Sequence, residues 1–323
     1  MANETFVWGF MNESPSTLET MGWDCSSTST NDIQPATDLQ YKPAGAPANY
    51  SLRMDGNDWA RAPLAGQPAT AAGSVSTAVR LQTSITPGTD PILLVGDGSA
   101  STYIRSNFDS TIDLYVSNAY RATSTAVIDW QDFRWVTLHY DLSADPHKGR
   151  IEIDETEVVA EQSQSGSAAA PATISARIYG FRAVDRATYH GAFVWRDGYT
   201  SAAPKRYVTI VEVDSDVSET GTWTPDTGTD NYARIDGPYD AASYTEEASP
   251  SASDKVVCGL TANLASNLGF AAGTIDAVCT IAVSTGAGQT GRAAGGDGSA
   301  VTNGDTTAIG ASETMTVAVA PTK

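Results

Sequence analysis

Alternation of apolar and polar residues over short segments constrains this chain more than any other feature. Trp135, Thr137, His139 and Asp141 interleave with Val136, Leu138 and Tyr140. That period of two sends successive side chains to opposite faces of a strand and does not fit the helical repeat. A loop containing Pro146 and Gly149 follows. The alternation resumes from Arg150 to Asp154, and Val158-Val159 opens another apolar run after a polar turn at Asp154 to Thr156. Short strands joined by tight turns predict an antiparallel meander.

The same pattern runs through the first two hundred residues. Segments 6–10, 50–54, 74–81, 91–95, 101–105 and 111–116 read as strands, with turns at Pro87-Gly88, Gly96-Asp97-Gly98 and Asn107. Residues 60–73, rich in Ala, Gly and Pro, read as a surface loop. No long segment repeats its apolar residues at helical spacing, so the expected class is all-β, an antiparallel sandwich. At 323 residues the chain is long enough for two domains. A Gly, Ser, Ala and Pro cluster after Asp197 predicts domains at 1–203 and 204–323, with the break between 198 and 222.

Three pieces in a fixed order carry a resemblance: Trp135-Val136-Thr137-Leu138, then Gly149 to Glu155, then Gly191 to Gly198. Together they resemble the concanavalin A-like, laminin-G-like jelly roll. That likeness implies a first strand at Phe6-Val7-Trp8 paired with a last strand at Phe193-Val194-Trp195, and a hairpin turn at Asp154-Glu155.

Beyond the break, residues 207–214, 258–260, 274–283 and 314–320 read as strands, and residues 286–305 as a loop. The string Trp223-Thr224-Pro225, Gly228-Thr229-Asp230-Asn231-Tyr232 and Asp240 to Tyr244 resembles a region after the jelly roll in structural proteins of tailed bacteriophages. This resemblance implies a virion component: an accessory tail, neck or fibre protein, or a capsid decoration. Its partners would be other virion proteins and further copies of itself, since sandwich edges need covering.

The formal net charge of −19 argues against nucleic acid or an anionic lipid surface as partner. Cys25, Cys258 and Cys279 are too few for a disulfide framework and read mainly as buried thiols, with a Cys258–Cys279 pair the alternative. The opening MANETFVWGF lacks a basic region and a long apolar run, and no apolar stretch is long enough to span a bilayer. The expectation is therefore a chain made in the host cytoplasm without membrane insertion.

For chemistry, Glu152-Ile153-Asp154-Glu155-Thr156-Glu157 fits the Glu-x-Asp-x-x-Glu pattern of retaining glucanases that share the jelly-roll fold. This likeness would make Glu152 the nucleophile, Glu157 the acid/base and Asp154 the group that tunes them. A hairpin at the same point argues instead for solvated acids on an ordinary strand and no catalysis, because exposed carboxyls make poor general acids. The histidines have no metal spacing, and Gly96-Asp97-Gly98 and Gly295-Gly296-Asp297-Gly298 read as turns, not calcium loops, so neither metal nor cofactor is expected. Of the seven tryptophans most should be core, while Trp59, in the exposed-looking turn Asp55 to Arg61, is the candidate glycan contact. The expected function is a non-enzymatic virion structural protein. The alternatives are a module that binds host-surface glycans and a jelly-roll glycoside hydrolase.

Overall fold

A computed structural model describes residues 4–10, 15–26, 33–36, 51–55, 58–64, 67–68, 70–81, 91–97, 100–166, 173–180, 187–199, 213–231, 233, 245–247, 255–260, 277–284, 289–291, 294–296, 301–303, 307–309 and 314–321. By proximity the chain divides into one unit of Met1–Tyr41, Asn49–Val208 and Ile275–Lys323 and another of Lys42–Ala48 and Thr209–Thr274. Most of the expected break, residues 200–212, lies outside the described residues, as does Pro87-Gly88.

The first unit contains, in order, β1 (Glu4–Trp8), α1 (Pro15–Thr20), β2 (Asp24–Cys25), β3 (Ile33–Ala36), β4 (Ser51–Asp55), β5 (Trp59–Arg61), β6 (Ala72–Leu81), β7 (Pro91–Gly96) and β8 (Thr102–Ser106). β9 (Ile112–Val116), β10 (Ala119–Thr123), β11 (Arg134–Asp141), β12 (His147–Ile153), β13 (Thr156–Gln164), β14 (Ser175–Tyr179) and β15 (Ala187–Asp197) follow. They form two antiparallel sheets. The first runs β13-β12-β11-β6-β15-β4-β3, with β1 also on β15, and the second runs β10-β9-β8-β7-β14-β5-β2. The fold is an all-β, antiparallel jelly-roll sandwich. Its first and last strands pair as expected, Phe6 opposite Trp195 and Trp8 opposite Phe193.

Alternation builds the core between the sheets. Val136, Leu138 and Tyr140 from β11, Ile151 and Ile153 from β12, and Phe193 and Trp195 from β15 meet Ile104, Ile112, Leu114 and Val116 from the second sheet. Phe6, Trp8, Phe10 and Trp23 close one end in edge and stacked contacts. Polar groups are carried into this interior with partners. Trp195 Nε1–H donates to the Tyr140 hydroxyl at 2.7 Å. His190 Nε2–H donates to the Tyr179 carbonyl at 3.0 Å, and its Nδ1 lies 3.1 Å from the Thr77 hydroxyl, so one imidazole ties the two sheets together.

Several expectations need correction. Gly149 lies inside β12, not in a loop: a Cβ there would meet Thr102 Cγ2 at 3.0 Å, Val116 Cγ2 at 3.1 Å and Leu114 Cδ1 at 3.2 Å, so its missing side chain lets the sheets approach. The supposed loop at 60–73 contributes Ala60 and Arg61 to β5 and Ala72 and Gly73 to β6, because small residues at Ala60 and Ala62 are packed in the core. Strand β10, strand β14 and helix α1 carry too few apolar residues to announce themselves.

In the second unit β16 (Val213–Thr220) precedes β17 (Trp223–Pro225), β18 (Thr245–Glu247) and β19 (Lys255–Leu260); β16 pairs with β19 and β17 with β18. Residues 207–212 of the strand expected at 207–214 lie outside the described residues. Back in the first unit, β20 (Ala277–Ser284), β21 (Gln289–Gly291), β22 (Ala294–Gly296), β23 (Val301–Asn303), β24 (Thr307–Ile309) and β25 (Thr314–Pro321) pair as nested hairpins, β20 with β25, β21 with β24 and β22 with β23. The expected loop at 286–305 therefore contains strands, whose Gly and Ala content hid them from propensity.

Candidate glycan-contact face

The two sheets turn unlike outer faces away from the core. On the first sheet the outward residues Trp135, Thr137, His139, Ser74, Ser76, Ala78, Val194 and Arg196 are all buried. On the second most outward residues are half-buried or exposed, Asp113 and Ser175 being buried, and one register row crosses every strand. Tyr120 of β10 lies opposite Tyr115 of β9, Tyr115 opposite Tyr103 of β8, and Tyr103 opposite Leu94 of β7. Leu94 in turn faces Arg177 of β14, Arg177 faces Arg61 of β5, and Arg61 faces Asp24 of β2. Local sequence sets the orientation: Ile104, Leu114 and Ala176 point into the core, so their neighbours Tyr103, Tyr115 and Arg177 point out. Six intervals between strands make the row about 29 Å long.

At the tyrosine end, Tyr103 and Tyr115 stack with centroids 4.5 Å apart and planes 7° from parallel, and Tyr120 meets Tyr115 edge-on at 5.8 Å. The stacked rings offer edges and hydroxyls, not open faces. Burial pushes both the Tyr103 and the Tyr115 phenol up, so each stays protonated and able to donate. The Arg105 guanidinium lies 4.8 Å from the Tyr115 ring centre and donates to buried Asp113 at 2.7 Å. Asp113 also accepts from Asn107 Nδ2 at 2.9 Å and from the Thr123 hydroxyl. This network fixes Arg105 beside the rings. Phe108, 68% exposed, stands at the turn that follows.

Trp59, the predicted contact, lies on the same face. It opens β5 half-buried, with Arg177 4.8 Å over its ring, and its backbone N–H donates to Ser26 Oγ at 2.9 Å. Sequence reading missed Tyr103, Tyr115, Tyr120, Arg105, Asp113 and Arg177. The alternation Thr-Tyr-Ile-Arg-Ser and Ile-Asp-Leu-Tyr-Val placed four of them on outward positions, but the register that aligns them is a property of paired strands.

The glucanase-like acids are separated by the hairpin. Asp154 and Glu155 have φ of 48° and 67°, the left-handed pair of a two-residue turn, so Glu157 stands on β13 opposite Glu152 on β12. The expectation that Glu152 is solvated is wrong. It is 4% exposed, with Arg150 Nη2 at 3.0 Å and His139 Nε2 at 3.3 Å, while Arg150 Nε reaches to 3.8 Å from the exposed Glu157. Arginines, not water alone, relieve the crowding of acids. Asp154 accepts from Arg134 at 3.1 Å and from the Trp135 N–H at 3.0 Å, which fastens the turn to β11. Burial, with Arg150 and Arg196 nearby, holds the His139 pKa below its ordinary value against the opposing pull of Glu152. Tyr199 covers this cluster, edge-on to His139 at 6.2 Å and under Arg150 at 5.9 Å.

Among the described residues no group of three or more His, Cys, Asp or Glu side chains is placed to hold a metal ion. Asp97 Oδ1 accepts from the Ala100 N–H at 3.0 Å within its own turn. Asp297 and Gly298 lie outside the described residues, as do the side chains of Cys258 and Cys279, whereas Cys25 is a buried thiol pushed up to about 12, first by burial.

No protein family and no curated protein matches the sequence. Among solved structures the chain is similar to a conserved carbohydrate esterase from Shiga toxin-encoding bacteriophage phi24B, at 12% identity over 61% of this chain and 99% of that one, TM-score 0.38. It is also similar to carbohydrate binding module CBM66 from Bacillus subtilis, at 9% identity over 54% and 95%, TM-score 0.31. A third similarity is to the carbohydrate recognition domain of Emp46p in its metal-free form, at 10% identity over 60% and 97%, TM-score 0.36.

Proposed function

We propose that the chain is a non-enzymatic, glycan-binding β-sandwich carried on a bacteriophage particle. The observation that carries the binding is the register row from Tyr120 to Asp24 on the open face of the second sheet. Protonated phenols, a fixed guanidinium and ring edges on a rigid sheet suit a ligand dense in hydroxyls, which exchanges hydrogen bonds with water at little cost. A dry protein contact fits less well. It would cover the Arg105–Asp113 pair, and charged groups are depleted from the cores of such interfaces. The absence of catalysis is supported by the assignment of the acids: Glu152 is held by Arg150, and Asp154 is spent on the hairpin. Placement on a particle, with virion proteins and further copies as partners, rests on the resemblance of residues 223–244.

Affinity electrophoresis of the full chain through a panel of neutral and acidic polysaccharides tests the reading. At least one should retard it. Tyr103→Ala and Tyr115→Ala should weaken that retardation about tenfold, the scale of one or two lost hydrogen bonds, whereas Glu157→Gln should not. No retardation by any member, or retardation indifferent to both tyrosines, overturns the proposal, and so does release of reducing ends.

A further inference from the structure

Resting on the glycan-binding reading, we infer that the arginine end of the row recognises the carboxylate of an acidic polysaccharide, with Arg177 on Trp59 as the anion contact. The chain carries 38 acidic residues against 19 Lys and Arg, so acids outnumber the cations that could pair with them. Arg53, Arg61, Arg105, Arg134 and Arg150 each have a carboxylate within ion-pair distance. Arg177, like Arg80 and Arg121, forms no ion pair among the described residues, and of these three it is the one on the register row, half-buried on the open face. Its guanidinium is held instead by the Trp59 ring, at 4.8 Å.

Stacking fixes the guanidinium in direction, and because its Nε is buried a carboxylate would be met by the two terminal Nη groups, a planar, two-point contact. Its neighbours supply the rest of the subsite. Leu94 separates it from Tyr103 along the row, about 10 Å for two strand intervals. One acidic sugar over Arg177 therefore leaves the following sugar rings over the tyrosine hydroxyls. The net charge of −19 opposes an anionic ligand at long range. Salt screens that field within about 10 Å, so contact at Arg177 decides affinity and the field only slows approach.

The test compares one backbone with and without its charge. The full chain is titrated calorimetrically with polygalacturonate, alginate and hyaluronate, each also supplied with its carboxyls esterified, and with dextran and dextran sulfate. At least one free acid should bind about tenfold or more tighter than its ester, the factor supplied by a charge-assisted pair. Arg177→Gln should erase that preference, Arg177→Lys should not restore it fully, and Trp59→Ala should reduce it. All variants should keep the wild-type melting profile, and Arg53→Gln, on the other sheet, controls for loss of charge alone. Three acids that bind no better than their esters overturn the inference, as does a preference that survives Arg177→Gln or a stronger affinity for dextran sulfate. If neutral glycans still bind through Tyr103, the proposed function stands and only the anion contact falls. If nothing binds, both fall.

Discussion

Glu152 and Glu157 face each other across the β12–β13 ladder with the Arg150 guanidinium between them, one acid buried and the other exposed. The two carboxyls that resemble a catalytic pair therefore differ in environment because a two-residue turn separates them. The relationship has a measurable asymmetry.

Glu152→Ala should cost about 3 kcal/mol, since it removes the buried carboxylate between Arg150 and His139 and leaves Arg150 with Glu157 at 3.8 Å. Glu157→Gln should stay within about 0.5 kcal/mol, as exposed substitutions do. Urea denaturation of both variants checks this. Equal losses would mean that Glu152 is as well solvated as Glu157.

Gly149→Val should destabilise the sandwich by about 2 kcal/mol or more, because its branched side chain enters a space where even a Cβ sits 3.0–3.2 Å from Thr102, Val116 and Leu114. Gly73→Ala should be worse than Gly149→Ala. Its Cβ would lie 2.2 Å from the Arg196 carbonyl oxygen, and backbone cannot swing aside as those methyl groups can. Thermal melts rank the three, and a neutral Gly73→Ala would contradict the close β6–β15 approach.

Stability should fall with acid through His190 before most carboxylates titrate. Burial, only partly opposed by the Tyr179 carbonyl, lowers its pKa from 6.5 to about 4. The unfolded chain then binds the proton first. The stabilisation is complete above about pH 6.5, declines as pH falls towards 4, and amounts to at most about 3 kcal/mol. His139, lowered for the same reason, acts in the same direction. His190→Gln should be less stable than wild type at pH 7 and should show a flatter decline between pH 6.5 and 4.5. An unchanged slope would show that another group carries it.

The sequence by itself determined the class of fold. Alternation at 135–141 and 150–153 can be satisfied only by paired strands, while the closure of residues 6–8 on residues 193–195 was implied by the resemblance to the jelly roll. The hairpin at Asp154-Glu155 was legible too, since polar residues there interrupt two apolar runs.

Tertiary structure alone decided which outward residues meet water. Thr137 and Tyr115 are both outward by periodicity, yet the first is buried under the covered face of one sheet and the second lies on the open face of the other. Periodicity assigns a side chain to a face but says nothing of what lies over that face. The row joining Tyr120, Tyr115, Tyr103, Leu94 and Arg177 spans residues 94 to 177 because hydrogen-bonded pairing aligns strands distant in sequence. The burial of Glu152 has the same origin: its partner His139 comes from the adjacent strand, and Tyr199 covers the cluster from the end of β15.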